Sequence, residues 1–123
     1  MFRTFYKQRT VLGIVLAVFI TGCDEVLQKP LNDVQIVPIA PGENVTTSSP
    51  VNFTWEPVTS AEQYRIQVMS PEFGQSQVLV FDSVLNRNIV SLPLDIGKYQ
   101  WRVQAINSSS SSEPTLPRNL TIE

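Results

Sequence analysis

The sequence predicts an all-β protein, a seven-stranded antiparallel β-sandwich that follows an N-terminal signal segment. Three observations lead there. Short segments alternate apolar and polar residues with period two, which puts one face of a strand in a core and the other in water. Clusters of proline, glycine, asparagine and serine separate these segments at short, regular intervals. Beyond residue 22 no stretch carries the periodicity of an amphipathic helix.

The chain begins with a segment that belongs to no domain. Arg3, Lys7 and Arg9 form a positive region, residues 11–20 are uncharged and apolar, and Thr21 and Gly22 precede Cys23. That layout is a secretory signal, and its apolar run is about half of the ~20 residues a spanning helix needs. Ile20, Thr21, Gly22 and Cys23 resemble the bacterial lipobox. The resemblance implies diacylation of the Cys23 thiol, cleavage before it and acylation of the new amine, so residues 1–22 are expected to be removed. An uncleaved signal anchor and an ordinary signal that leaves a free thiol are the rival readings. Several acyl chains make a stable anchor where a single chain binds only reversibly.

Cleavage leaves 101 of the 123 residues, the size of one domain. Six basic and eleven acidic residues remain, a net charge of −5. Such a chain has no electrostatic attraction to nucleic acid or anionic headgroups. With Cys23 the sole cysteine there is no disulfide framework, so the core alone must supply stability.

Residues 23–33 are polar, contain Pro30, and read as the lipidated cysteine and its tether. The domain is expected over residues 34–123. Val34 and Ile36 open a short first strand, interrupted at Pro38 and at Pro41 and Gly42. Val51, Phe53 and Trp55 make the second, and Tyr64, Ile66 and Val68 the third. Residues 78–81 are continuously apolar, so their facing is ambiguous. Residues 88–92 form the fifth strand; Tyr99, Trp101, Val103 and Ala105 mark the sixth; residues 118–122 complete seven.

Trp55 and Tyr99 sharpen this outline. Phe53, Trp55 and Pro57, followed by Ala61, Tyr64, Ile66 and Val68, look like strands B and C of a fibronectin type III domain, a fold of the immunoglobulin-like class. Tyr99, Trp101, Val103, Ala105 and Asn107 are similar to its strand F. The resemblance covers residues 34–123, and its version of strand F is similar to modules of bacterial surface and secreted proteins. It implies a tyrosine corner at Tyr99. Where the family has a leucine six residues before that tyrosine, this chain has Pro93 with Leu94 next, which predicts a preceding loop one residue shorter.

Chemistry is sparse. The chain has no histidine, hence no usual general base and none of the commonest zinc ligand. Its carboxylates form no calcium loop, and there is no glycine-rich phosphate loop. The serine run at 108–112 lacks a base and reads as a flexible loop. We expect no catalysis, no cofactor and no metal.

The expected core includes Trp55, Tyr64, Tyr99 and Trp101. On the outer face of the third and sixth strands, Arg65 and Gln67 would lie beside Gln100, Arg102 and Gln104. This polar face suits a protein partner or a polysaccharide, because arginine pairs with carboxylates bidentately. Phe73, in a Pro-Glu-Phe-Gly loop, is the one aromatic expected to be exposed. The loops at 56–62 and 108–114 would flank one end of the face.

The expected role is a lipid-anchored, non-catalytic interaction module of the bacterial cell envelope, with a glycan-binding surface lipoprotein as the alternative. Asp24 and Glu25 follow the cysteine. In one bacterial group such residues resemble an inner-membrane retention signal, in another a signal for surface export. We expect an outer-membrane, surface-exposed protein, with an inner-membrane protein facing the periplasm as the alternative.

Overall fold

The computed structural model describes residues 30–74 and 77–123. The signal segment, Cys23 and most of the tether lie outside these residues. Eight strands follow in order: β1 (Pro38–Ala40), β2 (Val45–Thr47), β3 (Val51–Trp55), β4 (Gln63–Ser70), β5 (Val78–Leu85), β6 (Ile89–Leu92), β7 (Gly97–Ile106) and β8 (Arg118–Ile122). They form a three-stranded sheet, β1-β3-β6, and a five-stranded sheet, β2-β8-β7-β4-β5. No helix occurs among the described residues.

The count is eight where seven were expected: residues 34–37 form no strand, and β1 and β2 lie where the sequence reads as interruptions and turns. Val34 and Ile36 precede the ladder, which opens at Pro38 opposite Trp55. A proline there sits on an edge, where its missing N–H costs no ladder bond. Pro41 and Gly42 then break the run, and Asn44 takes a left-handed turn (φ 59°) that asparagine tolerates. Its amide donates to the Asn119 carbonyl (3.0 Å). The chain has now crossed to the other sheet, where β2 runs parallel to β8. The sandwich is therefore antiparallel except for this one pair.

The alternating residues of both sheets meet between the layers. Phe53, Trp55, Ile66, Val68, Val103 and Ala105 are fully buried, with Leu120 and Ile122 nearly so. Trp101 meets Phe53 edge-on at 5.1 Å between centroids, and Trp55 meets Tyr64 at 5.6 Å. Such T-shaped pairs add about 0.5–1.5 kcal/mol beyond burial. Both indole N–H groups are buried without a partner among the described residues. Leu31 also lies in this core, fully buried, so ordered packing begins ahead of residue 34.

The ends of the sandwich differ. At one end the Asn107 side-chain amide donates to the Ser60 carbonyl (3.1 Å), the Glu62 amide to the Ile106 carbonyl, and the Leu31 amide to Ser110 Oγ (2.9 Å). The 56–62 and 107–114 loops and the incoming N-terminal chain share that end. At the other, the Leu94 amide donates to Ser49 Oγ (3.0 Å) and Ser70 Oγ to the Lys98 carbonyl (2.9 Å).

Candidate functional site

The outer face of the five-stranded sheet gathers the polar residues of β4 and β7. Antiparallel register sets Arg65 opposite Gln104, Gln67 opposite Arg102 and Met69 opposite Gln100. Each arginine thus faces a glutamine and not the other arginine, which avoids a like-charge pair.

Hydrogen bonds join these side chains into a ribbon across the sheet. Arg65 grips Asp82 of β5 with two bonds, Nε to Oδ1 at 2.8 Å and a terminal nitrogen to Oδ2 at 2.6 Å. This guanidinium holds the Asp82 carboxyl below the ordinary carboxylate range. Gln67 donates to the same carboxylate (3.3 Å) and accepts from Arg102 Nε (3.0 Å). The Arg102 guanidinium lies over the Phe73 ring, 4.2 Å from its centroid. The Phe73 amide donates to Gln100 Oε1 (2.9 Å), Gln100 donates to Asn119 Oδ1 (2.8 Å), and Asn119 donates to Glu43 Oε2 (2.9 Å). Gln104 stands apart, donating to the Ser112 carbonyl (2.8 Å).

Phe73 is therefore half-buried against the sheet, not an exposed loop aromatic. The loop after β4 folds back onto the face because its amide finds Gln100 and its ring finds Arg102. One face of the ring is covered by the guanidinium. The two arginines also differ. Arg65 places Nε and one terminal amino group on Asp82, whereas among the described residues the terminal amino groups of Arg102 have no hydrogen-bond partner. Asp82, Asn119 and Glu43 complete the ribbon although the sequence reading passed over them. No local signal places Asp82: residues 81–85 do not alternate in polarity, although in the fold their exposure does.

The predicted core aromatics have polar ends that organise loops. Tyr64 accepts a bond from the Val58 amide (2.8 Å) and pins the 56–62 loop. Tyr99 donates to the Asp95 carbonyl (2.7 Å), forming a tyrosine corner. Burial, helped by Asp95, pushes the Tyr99 phenol above its usual range. Pro93 does not prevent the corner, because Leu94 turns into the core in its place (7% exposed).

The serine run is built, not loose. Asn107 is buried, and its Oδ1 accepts from the amides of Ser109 (3.0 Å) and Ser110 (2.9 Å) and from both hydroxyls. Ser112 Oγ and Thr115 Oγ1 accept from the Ala105 and Val103 amides, at 2.9 and 3.1 Å, standing in for backbone carbonyls beside Pro114. These hydroxyls serve the ladder.

No group of three metal-ligating side chains occurs among the described residues. A cleft of about 240 Å³ is lined by Glu72, Lys98 and Asn119, and another of about 350 Å³ by Glu43, Thr115 and Arg118. Each carries a single carboxylate. Among the described residues no helix is long and apolar enough to cross a membrane.

Two sheets in this order, closed by the Tyr99 corner, define a fibronectin type III-like β-sandwich. A solved structure similar to this chain is the solution structure of a fibronectin type III domain derived from the human KIAA0970 protein. The two share 18% identity and a TM-score of 0.55, over 86% of this chain and 85% of that one. At that identity the likeness concerns the fold. No family model matches the chain, and no curated protein matches it by sequence.

Proposed function

We propose that this protein is a lipid-anchored, non-catalytic interaction module of the bacterial cell envelope, whose outer five-stranded face docks a carboxylate of a protein partner through Arg102. The observation that carries the reading is the preorganised arginine. Phe73 and Gln67 hold its guanidinium in place while its terminal amino groups remain open. A donor fork fixed in advance loses little side-chain entropy on binding and matches a carboxylate bidentately. For the glycan alternative, Arg102 leaves only one face of Phe73 to stack on.

The N-terminal attachment bounds the reach of the anchor. Leu31 is pinned beside Ser110. The eight links from Cys23 to Leu31 span at most about 28 Å. An anchor at Cys23 therefore keeps Leu31, and the loop end it joins, within about that distance of the bilayer. We place the anchor in the outer membrane, with the domain exposed at the surface.

The test uses a photoreactive residue at position 104 of the full chain in cells, with an alkyne fatty acid as the lipid label. We expect a protein adduct that Arg102→Glu abolishes while the melting temperature stays unchanged, and a label that Cys23→Ser removes. An adduct indifferent to Arg102→Glu refutes the docking face. A label retained by Cys23→Ser, or no label in the parent chain, refutes the anchor.

A further inference from the structure

We infer that the cleft between the turn after β4 and the β7–β8 pair binds a small zwitterion of the α-amino-acid type, its carboxylate on Lys98 and its ammonium on Glu72. The cleft measures about 240 Å³ and takes side chains from four stretches of chain. Glu72 comes from the turn after β4, Lys98 from β7, Thr121 from β8, and Asn44 from the left-handed turn before β2. The core residues Tyr99 and Leu120 also line it.

The frame of the cleft is fixed. Ser70 Oγ donates to the Lys98 carbonyl (2.9 Å) and the Phe73 amide to Gln100 Oε1 (2.9 Å), so the turn that carries Glu72 is tied to β7 on both sides. Lys98 lies opposite Thr121 in the ladder. The Asn44 amide is bonded to the Asn119 carbonyl (3.0 Å). A frame ordered in advance loses little entropy when a ligand enters.

The polar side chains, by contrast, are uncommitted. Along the ribbon, side chains bond to one another. In the cleft, among the described residues, the Glu72 carboxylate, Lys98 Nζ, Thr121 Oγ1 and the Asn44 side-chain amide have no hydrogen-bond partner, and Glu72 and Lys98 form no ion pair. Lys98 only donates, Glu72 only accepts, and Thr121 and Asn44 do both. That set selects the ligand. An uncharged group would strip water from an ammonium and a carboxylate and leave both uncompensated. A zwitterion meets each with its opposite through charge-assisted hydrogen bonds. Thr121 and Asn44 then take the remaining oxygen and N–H positions. The volume sets the size: it lies below the ~300 Å³ at which pockets for drug-sized ligands begin, so it admits one amino acid and no oligosaccharide. The site requires neither the lipid anchor nor the Arg102 face.

The test is heteronuclear NMR on the isotope-labelled full chain in detergent micelles at neutral pH. Glycine, L-alanine, L-glutamine and L-lysine are the probes, each titrated to about 50 mM. At least one should shift the amide signals of Asn44, Lys98 and Thr121 saturably. Its Nα-acetyl form lacks the ammonium and its carboxamide form lacks the carboxylate, and each should bind at least about tenfold more weakly. Lys98→Met and Glu72→Gln should weaken the unblocked amino acid by a similar factor, about tenfold. Both side chains are exposed, and a dispersed spectrum checks that each variant is folded; if one is not, the blocked forms decide. Glucose, titrated alongside, should shift none of these signals. No saturable shift with any probe, blocked forms that bind as tightly, or binding that both variants leave intact overturns the inference. A glucose shift at these residues overturns it in favour of a saccharide site.

Discussion

Replacing Asn107 with alanine isolates what the buried amide does for the serine run. The substitution removes the acceptor shared by the Ser109 and Ser110 amides and the donor to the Ser60 carbonyl. The two hydroxyls can turn to water, so they add little. Two backbone bonds and one side-chain tie, at about 0.5–1.5 kcal/mol each, predict a loss of about 2–3 kcal/mol. A domain of this length has about 5–14 kcal/mol in total. The melting temperature should then fall by about 10–20 °C. Urea unfolding followed by tryptophan fluorescence measures the loss, since Trp55 and Trp101 are both buried reporters. Asn107→Asp is the control for the loop: it loses the donor to Ser60 and buries a charge, both of which destabilise the fold, but it keeps the oxygen that the Ser109 and Ser110 amides reach. Hydrogen exchange should rise at residues 108–112 in the alanine variant alone. A fall below about 4 °C, or exchange at residues 108–112 that stays as slow as in the parent, would show that Asn107 does not organise this loop.

Other consequences are as direct. Trp55→Ala should cost about 3–5 kcal/mol by denaturant titration. Trp55→Phe should cost far less, because the indole N–H it removes has no partner; equal losses would contradict that packing. Tyr99→Phe should cost about 0.5–1.5 kcal/mol at neutral pH for the lost corner bond. The native fold raises the Tyr99 pKa, so its stabilisation is complete below the unfolded value of about 10 and lost as pH rises through the folded value. The variant should lack that part of alkaline destabilisation; unchanged alkaline melting would argue against a buried phenol. Asp82→Asn should cost no more than about 1 kcal/mol at neutral pH, because the pair with Arg65 is partly exposed. The fold lowers the Asp82 pKa, so its contribution is present above about 3.9 and lost as pH falls through the folded value. Parent and variant should converge as pH falls through that folded value, and a gap that does not narrow in acid would refute the ion pair's role.

Legibility followed the range of the interactions. Trp55, Tyr64, Trp101 and Val103 announce their facing by period two, and the structure buries each of them. Residues 118–122 were bounded by turns and form β8 as expected. β1 and β2 escaped because their pairing depends on which sheet each joins. Nothing local to Val45 says that it will lie parallel to Leu120. Residues 108–112 read as loose because serine signals turns and polarity. Their order comes from one buried asparagine, whose oxygen collects four donors. Phe73 read as exposed because its loop is short and polar, while Arg102, 29 positions away, captures its ring.

By itself, then, the sequence determined that this chain makes two facing layers of short strands, which residues fill them, that Arg65, Gln67, Gln100 and Arg102 share an outward face, and that no histidine-based chemistry is available. Those properties are written in neighbours one and two residues apart. Only the tertiary structure decided that Asp82 occupies Arg65 and leaves Arg102 open, that Phe73 lies beneath that guanidinium, that the N-terminal chain arrives beside the 107–114 loop, and that Phe81 and Leu85 of β5 pack on the core yet stay half-buried. Each of these depends on strand order and register, which bring together side chains far apart in the chain by hydrogen bonds that no local pattern encodes.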